Sequence, residues 1–98
     1  MSKYFLTEKA INDLTDIWNY TYDEWSEQQA DIYYQMLIDT CEEIAKNPKI
    51  GKYYEGITAN LHGIRTNRHV IFYRFLDDKI EITRILHGRM DLKKHLRE

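Results

Sequence analysis

The sequence predicts an α+β domain in which two N-terminal helices form a hairpin on one face of a small, mainly antiparallel sheet, in the order β-α-α-β-β-β with a short C-terminal helix. Three observations predict it. Apolar residues recur at helical spacing in the first half, strand-length apolar segments fill the second half, and two-residue links rich in turn formers separate those segments. We find no repeat or linker, so residues 1–98 are expected to form a single domain.

The first half of the chain predicts a short strand followed by two helices. The strand comprises residues 3–6, and Thr7 stands where a helix N-cap is expected. A capping-box pattern at Ser26 begins the second helix directly after the first. Pro48 ends it, because the residue before a proline is disfavoured in helical conformation. Cys41 lies on the apolar stripe of this helix, so a packing role is expected for its thiol.

The second half predicts three strands over residues 61–66, 69–76 and 79–86, after an irregular loop over 49–60. The middle strand is apolar at nearly every position, which is typical of a strand at the centre of a sheet. In the last strand, alternation places Ile80, Ile82 and Arg84 on one face, with Glu81, Thr83 and Ile85 on the other. Asp91 is expected to cap a final helical turn over residues 92–97.

The net charge of −2 conceals a division along the chain. Residues 1–45 carry two lysines and ten acidic residues, a net charge of −8, whereas residues 46–98 carry twelve basic and six acidic residues, a net charge of +6. Either acidic helices partly neutralise a basic sheet, or the basic half receives an acidic or nucleic partner. The lone cysteine, and the absence of a signal-peptide pattern or a long apolar run, predict a cytoplasmic protein with no membrane association.

Several kinds of site are not supported by the sequence. The histidines show no ligand spacing such as HxxxH, no glycine-rich loop precedes a helix, and no nucleophile motif is present. We therefore expect no metal and no other cofactor.

The arginines and a few aromatic residues are the candidate binding residues. The arginines lie on or beside the strands, and Arg65, Arg84 and Arg89 are expected to converge into a cluster that binds phosphate or carboxylate. The alternative is that each arginine pairs with an acid of its own domain, such as Glu81. Tyrosines among lysines in the long loop can stack on bases or anchor a peptide. The candidates are Arg65, Arg68, Arg74, Arg84, His87, Arg89, Tyr53, Tyr54 and Trp25.

Four blocks of the sequence resemble the ParE toxins of the RelE/ParE superfamily: LTEKAINDLTDIWNYT, QQADIYYQMLIDTCEEIAKNP, HVIFYRF and IEITRILHGRMD. They cover almost the whole chain in the right order. The resemblance implies a bacterial cytoplasmic toxin of a type II toxin–antitoxin system that inhibits DNA gyrase and so blocks replication. It also implies a ParD-like antitoxin that wraps around the toxin in a hetero-oligomeric complex, with operator DNA contacted only through the antitoxin.

The superfamily also contains RelE-like ribosome-dependent mRNA endonucleases, which is the alternative function. In nucleases with an Arg-[Leu/Ile]-Val-Tyr strand, the arginine falls where this chain has Val70. The C-terminal tyrosine, or paired histidine and tyrosine, of those nucleases is missing after Leu86 in this chain. A nuclease here would depend on His87 with Arg84 and Arg89. We therefore interpret RILHGRMD as the end of a core strand followed by a recognition surface, and expect no catalysis. A third possibility is a non-toxic family member that only binds its antitoxin.

Overall fold

The computed structural model describes residues 3–96, and the predicted α+β class is confirmed. A single 3-10 turn, Pro48–Ile50, follows the second helix. The part of the predicted tail helix that falls on Arg97 lies outside the described residues. The elements are β1 Lys3–Leu6, α1 Glu8–Glu24, α2 Glu27–Lys46, β2 Lys52–Tyr53, β3 Leu61–Thr66, β4 His69–Leu76, β5 Lys79–His87 and α3 Leu92–Leu96.

All three predicted helix N-caps are confirmed, since the Asp91 carboxylate accepts from the Lys94 amide at 3.2 Å at the start of α3. The Thr7 hydroxyl accepts a hydrogen bond from the Ala10 amide at 3.1 Å and donates one to the carbonyl of Thr83 at 2.9 Å. The Ser26 hydroxyl accepts from the Gln29 amide at 3.1 Å. Thr7 therefore begins α1 and also fixes it to the edge of β5, because β1 covers only the first part of that edge.

The sheet has the strand order β1-β5-β4-β3-β2, and only the β1–β5 pair is parallel. The apolar strand β4 lies at the centre, as its sequence predicted. The strand β2 was not predicted, because it is only two residues long and lies inside a segment interpreted as loop. Its residues Lys52 and Tyr53 pair with Gly63 and His62 of β3.

The predicted alternation along β5 is wrong beyond Ile82. Tyr73 of β4 lies opposite Ile82, whereas the preceding Phe72 lies opposite Arg84, so β5 contains one extra residue at this point. This β-bulge reverses the phase of the strand. Ile85 consequently returns to the face of Ile80 and Ile82 and packs under the helical hairpin.

Two apolar clusters form, one on each face of the sheet. The helices cover the larger cluster, which contains the buried Cys41 and Tyr73. Burial raises the pKa of the Cys41 thiol to about 12, consistent with its predicted packing role. On the other face, Leu96 of α3 packs with Leu61, Phe72 and neighbouring residues. Within residues 3–96, none of the helices is both long enough and apolar enough to span a bilayer.

Candidate interaction groove

A groove with a volume of about 510 Å³ lies between α1, the start of α2 and the end of the sheet where β4 begins and β5 ends. We call it the interaction groove. Its walls combine apolar and aromatic side chains with a few polar groups, the usual composition of a binding site. It is lined by Asp13, Asp16, Ile17, Tyr20, Thr21, Trp25, Gln29, Tyr33, Asn67, Arg68, His69, Ile85, Leu86, His87 and Met90.

The helical wall of the groove presents large aromatic side chains to solvent. Trp25 is 69% exposed and Tyr20 is 64% exposed. Trp25 is the C-cap of α1, and Ser26 starts α2 immediately afterwards, so this sharp connection holds the indole at the rim. Exposed aromatic residues gathered beside a concave surface are typical of protein interaction sites.

Two histidines and a tyrosine form a connected group at the sheet side of the groove, which we call the histidine cluster. The Tyr33 hydroxyl lies 2.6 Å from Nδ1 of His69. The rings of His69 and His87 meet edge to face with their centroids 5.3 Å apart. The Arg89 amide donates to Nδ1 of His87 at 3.1 Å, which places the proton of the neutral His87 ring on Nε2.

The pKa of His69 is lowered from its ordinary value to about 4. Burial is the largest cause, and the neighbouring His87 adds to it, whereas Asp13 acts in the opposite direction. His69 is therefore neutral near pH 7. A neutral imidazole and a phenol make the base of the groove a polar but uncharged surface.

We expect this buried histidine to make the protein less stable in mild acid. The unfolded chain binds a proton at His69 near its ordinary pKa of 6.5, but the folded chain does so only near 4, so stability falls as the pH decreases through that interval. Because the ring is partly solvated, the expected loss between pH 7 and pH 5 is about 1–2 kcal/mol. Urea unfolding at both pH values measures it. In a His69→Gln variant this loss of stability should largely disappear. If the pH dependence of stability were unchanged in that variant, His69 would not be its cause.

Charged groups stand along the walls of the groove. Asp13 and Asp16 belong to α1, and Arg68 belongs to the turn between β3 and β4. The carboxylate of Asp13 accepts two hydrogen bonds from the Arg84 guanidinium, at 2.8 and 2.9 Å, and one from the Ile85 amide at 3.0 Å. This ion pair is largely buried, with the side chains of Arg84 and Asp13 only 13% and 14% exposed.

The structure brings three of the nine predicted site residues together, because Trp25, Arg68 and His87 all line the groove. The expected cluster of Arg65, Arg84 and Arg89 is not formed as predicted. The guanidinium of Arg84 is bound by Asp13 and by the carbonyl of His95, whereas that of Arg65 lies beside Gly88 and donates to the Asn67 carbonyl. The reason is that α1 crosses the edge of β5 and supplies a carboxylate there.

The other predicted site residues lie elsewhere. Arg74 forms two hydrogen bonds with its cross-strand neighbour Glu81, at 3.0 and 3.1 Å, which is the intramolecular pairing considered as the alternative. Tyr54 packs its ring on Phe72, on the sheet face opposite the helical hairpin. Tyr53 is exposed at the end of the sheet remote from the groove, and Arg89 is an exposed residue following β5.

Sequence reasoning missed two of the three members of the histidine cluster, and it missed the acidic wall. Tyr33, His69 and Asp13 were not among the predicted site residues. One signal was available, since His69 and His87 begin and end two strands that pair antiparallel. That pairing places the two imidazoles opposite each other.

The family comparison gives a match over nearly the whole chain. Residues 4–92 match the model of the family described as "ParE toxin of type II toxin-antitoxin system, parDE". The matched range contains all of the groove-lining residues.

Individual proteins agree with this family match. The chain is 38% identical to a protein named Toxin ParE1 from Caulobacter vibrioides over 98% of this chain and 99% of that protein. It is 34% identical to Toxin ParE1 from Mycobacterium tuberculosis, with 97% and 98% covered.

Two solved structures have the same fold. One, titled as the chromosomal ParDE toxin–antitoxin system from P. aeruginosa, superimposes with a TM-score of 0.76 at 17% identity, over 89% of this chain and 96% of that chain. The other, titled as the toxin–antitoxin complex RelBE2 from M. tuberculosis, gives a TM-score of 0.69 at 17% identity, over 88% and 96%. The family match and the sequence relatives establish that this chain belongs to the ParE toxin family of type II toxin–antitoxin systems.

Proposed function

We propose that this ParE-family toxin inhibits bacterial DNA gyrase by direct contact, blocks replication, and is neutralised by a ParD-like antitoxin in the cytoplasm. The observation that carries the proposal is the match to the ParE family over residues 4–92. The interaction groove supports it, since exposed aromatic side chains around a concave surface suit recognition of another protein.

The antitoxin part of the proposal rests on the relatives and on the charge of the chain. Both similar structures are titled as toxin–antitoxin systems or complexes. The basic half of this chain, residues 46–98, suits an acidic antitoxin segment, and the groove suits apolar anchors of that segment. We propose that operator DNA is contacted only through the antitoxin.

A binding role is favoured over a catalytic one by the position of Arg84. Of the set His87, Arg84 and Arg89 that a nuclease would use, only His87 lines the groove, and the Arg84 guanidinium is occupied by Asp13. The histidine cluster favours mRNA cleavage as a second candidate, because two imidazoles and a phenol lie in one concave site. The experiment below separates the two functions.

We expect purified toxin to convert supercoiled plasmid into linear DNA in the presence of gyrase, and a cognate ParD-like antitoxin to suppress the effect. Trp25→Ala and His87→Ala should each raise the toxin concentration required by about tenfold or more, because a few anchoring side chains supply most of the binding energy of an interface. Tyr34→Ala is the matched control, because Tyr34 is an exposed aromatic residue of α2 that does not line the groove.

If gyrase is unaffected at concentrations that stop growth, the gyrase proposal is wrong, and cleavage of ribosome-bound mRNA becomes the next measurement. Loss of that cleavage in His87→Ala would then establish the nuclease. A folded toxin without any effect on growth would identify a family member that only binds its antitoxin.

A further inference from the structure

A second surface, separate from the interaction groove, carries stacked aromatic rings. The imidazole of His62 lies against the ring of Phe75 with centroids 4.8 Å apart and planes 13° from parallel. Tyr53 extends the row, with its centroid 5.4 Å from that of His62, and Tyr73 lies beneath at 5.7 Å. We call Tyr53, His62 and Phe75 the aromatic platform. Phe75 lies six residues along β4 from His69, so the platform is about 20 Å from the histidine cluster.

The platform is accessible at both ends. Tyr53 is 52% exposed and Phe75 is also exposed. The Nδ1 atom of His62 lies 3.0 Å from the carbonyl oxygen of Asn60, which only accepts hydrogen bonds, so this nitrogen carries a proton. The orientation of the His62 ring is thereby fixed. A row of held rings with exposed ends is a surface on which a further planar ring can stack.

The segment that contains Tyr53 is basic. Residues 46–54 include Lys46, Lys49 and Lys52, all exposed, and no acidic residue. Within residues 3–96 none of the three lysines takes part in an ion pair. The Tyr73 hydroxyl donates to the carbonyl of Pro48 at 2.8 Å and accepts from the amide of Gly51 at 2.9 Å, so the backbone on both sides of Lys49 is held to the ring beneath the platform. The Nζ atom of Lys52 lies 5.6 Å from the centroid of the Tyr54 ring, which packs on the other face of the sheet.

We propose that the aromatic platform and Lys49 bind single-stranded nucleic acid, with bases stacking on the rings and phosphates contacting Lys49. This combination of exposed rings and unneutralised cations is the one by which proteins bind single strands without base-specific hydrogen bonds. The acidic turn Asp77–Asp78 follows Phe75 and repels phosphates. The nucleic-acid strand is therefore expected to run away from this turn, over β2 and β3. The proposal is independent of the gyrase proposal, since it concerns other residues.

An acidic peptide is the competing ligand, because it would also be attracted by the lysines. The rings favour nucleic acid, since a base offers a flat face to a row of rings already at stacking distance, whereas an acidic peptide uses only the charges. The experiment therefore varies bases and phosphates separately.

The test is fluorescence anisotropy of labelled twelve-nucleotide oligomers of dT and rU with the full chain at several salt concentrations. We expect both oligomers to bind, and an abasic twelve-mer with the same phosphates to bind at least tenfold more weakly. Tyr53→Ala should weaken binding about tenfold, with Tyr53→Phe near the original affinity and Tyr34→Ala unchanged. In the Lys49→Gln variant, the slope of log affinity against log salt should become shallower by about 0.7, whereas Lys52→Gln, on the other face of the sheet, should change it less.

Circular dichroism and the thermal midpoint establish that each variant is folded. The proposal is overturned if the abasic oligomer binds as tightly as dT, because the site would then recognise charge alone. It is also overturned if folded Tyr53→Ala binds like the original chain, or if a polyglutamate peptide competes as effectively as dT. Binding of only one of the two oligomers would retain the proposal and identify whether DNA or RNA is the ligand.

Discussion

Replacing Asp13 by alanine is expected to lower the free energy of unfolding by about 3–5 kcal/mol, because it removes the carboxylate that forms two hydrogen bonds with the largely buried guanidinium of Arg84. The same substitution removes the acceptor of the Ile85 amide, at the part of the β5 edge that β1 does not cover. Urea unfolding followed by circular dichroism measures the loss. A change of this size is a large fraction of the total stability of a small domain.

Asp16→Ala provides the matched control. Asp16 lies one turn from Asp13 on the same wall of the groove but is exposed, so its removal should change the stability by no more than about 0.5 kcal/mol. Replacing Asp13 and Arg84 together by leucine and methionine should recover much of the lost stability, since the guanidinium of Arg84 is then removed together with the carboxylate. Equal effects of Asp13→Ala and Asp16→Ala would show that the ion pair does not stabilise the fold.

This ion pair also affects how loss of toxicity is interpreted. Arg84 stands in the RILHGRMD segment and was a candidate for both recognition and catalysis. Because its guanidinium joins β5 to α1 and to the carbonyl of His95, Arg84→Ala is expected to destabilise the toxin. His87→Ala removes a groove-lining side chain outside this ion pair, so it is the cleaner test of function.

The parts of the fold that were predictable are those set by short-range rules. Thr7 and Ser26 are caps because a hydroxyl beside the first turn satisfies a helix amide, and that requires no tertiary information. The central position of β4 followed from its nearly continuous apolar sequence. The ParE family was likewise recognisable, since its four blocks lie along one continuous chain.

The parts that were not predictable depend on contacts between distant residues. The bulge opposite Phe72 and Tyr73 moves Ile85 to the other face, and nothing in the local sequence of β5 marks the extra residue. Asp13 and Arg84 are 71 positions apart, so neither indicates its partner in the sequence. Arg84 and Arg74 were among the nine candidate binding residues, although both make ion pairs within the domain.

Gly51→Ala is expected to cost about 2–4 kcal/mol, the second large effect. The backbone of Gly51 has φ −82° and ψ 162°, an extended conformation open to any residue, so the cost does not arise from the backbone. An added Cβ would lie 2.3 Å from the hydroxyl oxygen of Tyr73, which is fully buried. The loop must therefore move away, and the two hydrogen bonds that the Tyr73 hydroxyl makes with Pro48 and Gly51 are lost.

Gly88→Ala is the control that separates crowding by a fixed group from crowding by a movable one. Its added Cβ would lie 2.8 Å from a terminal nitrogen of Arg65, but that atom ends a flexible, exposed side chain that can turn aside, so we expect a cost below about 1 kcal/mol. Thermal or urea unfolding of both variants gives the comparison. The effects of Gly51→Ala and Tyr73→Phe should be less than additive, because phenylalanine lacks the oxygen nearest the new methyl group. Equal costs for the two glycine variants, or strict additivity, would mean that Tyr73 does not hold the loop to the sheet.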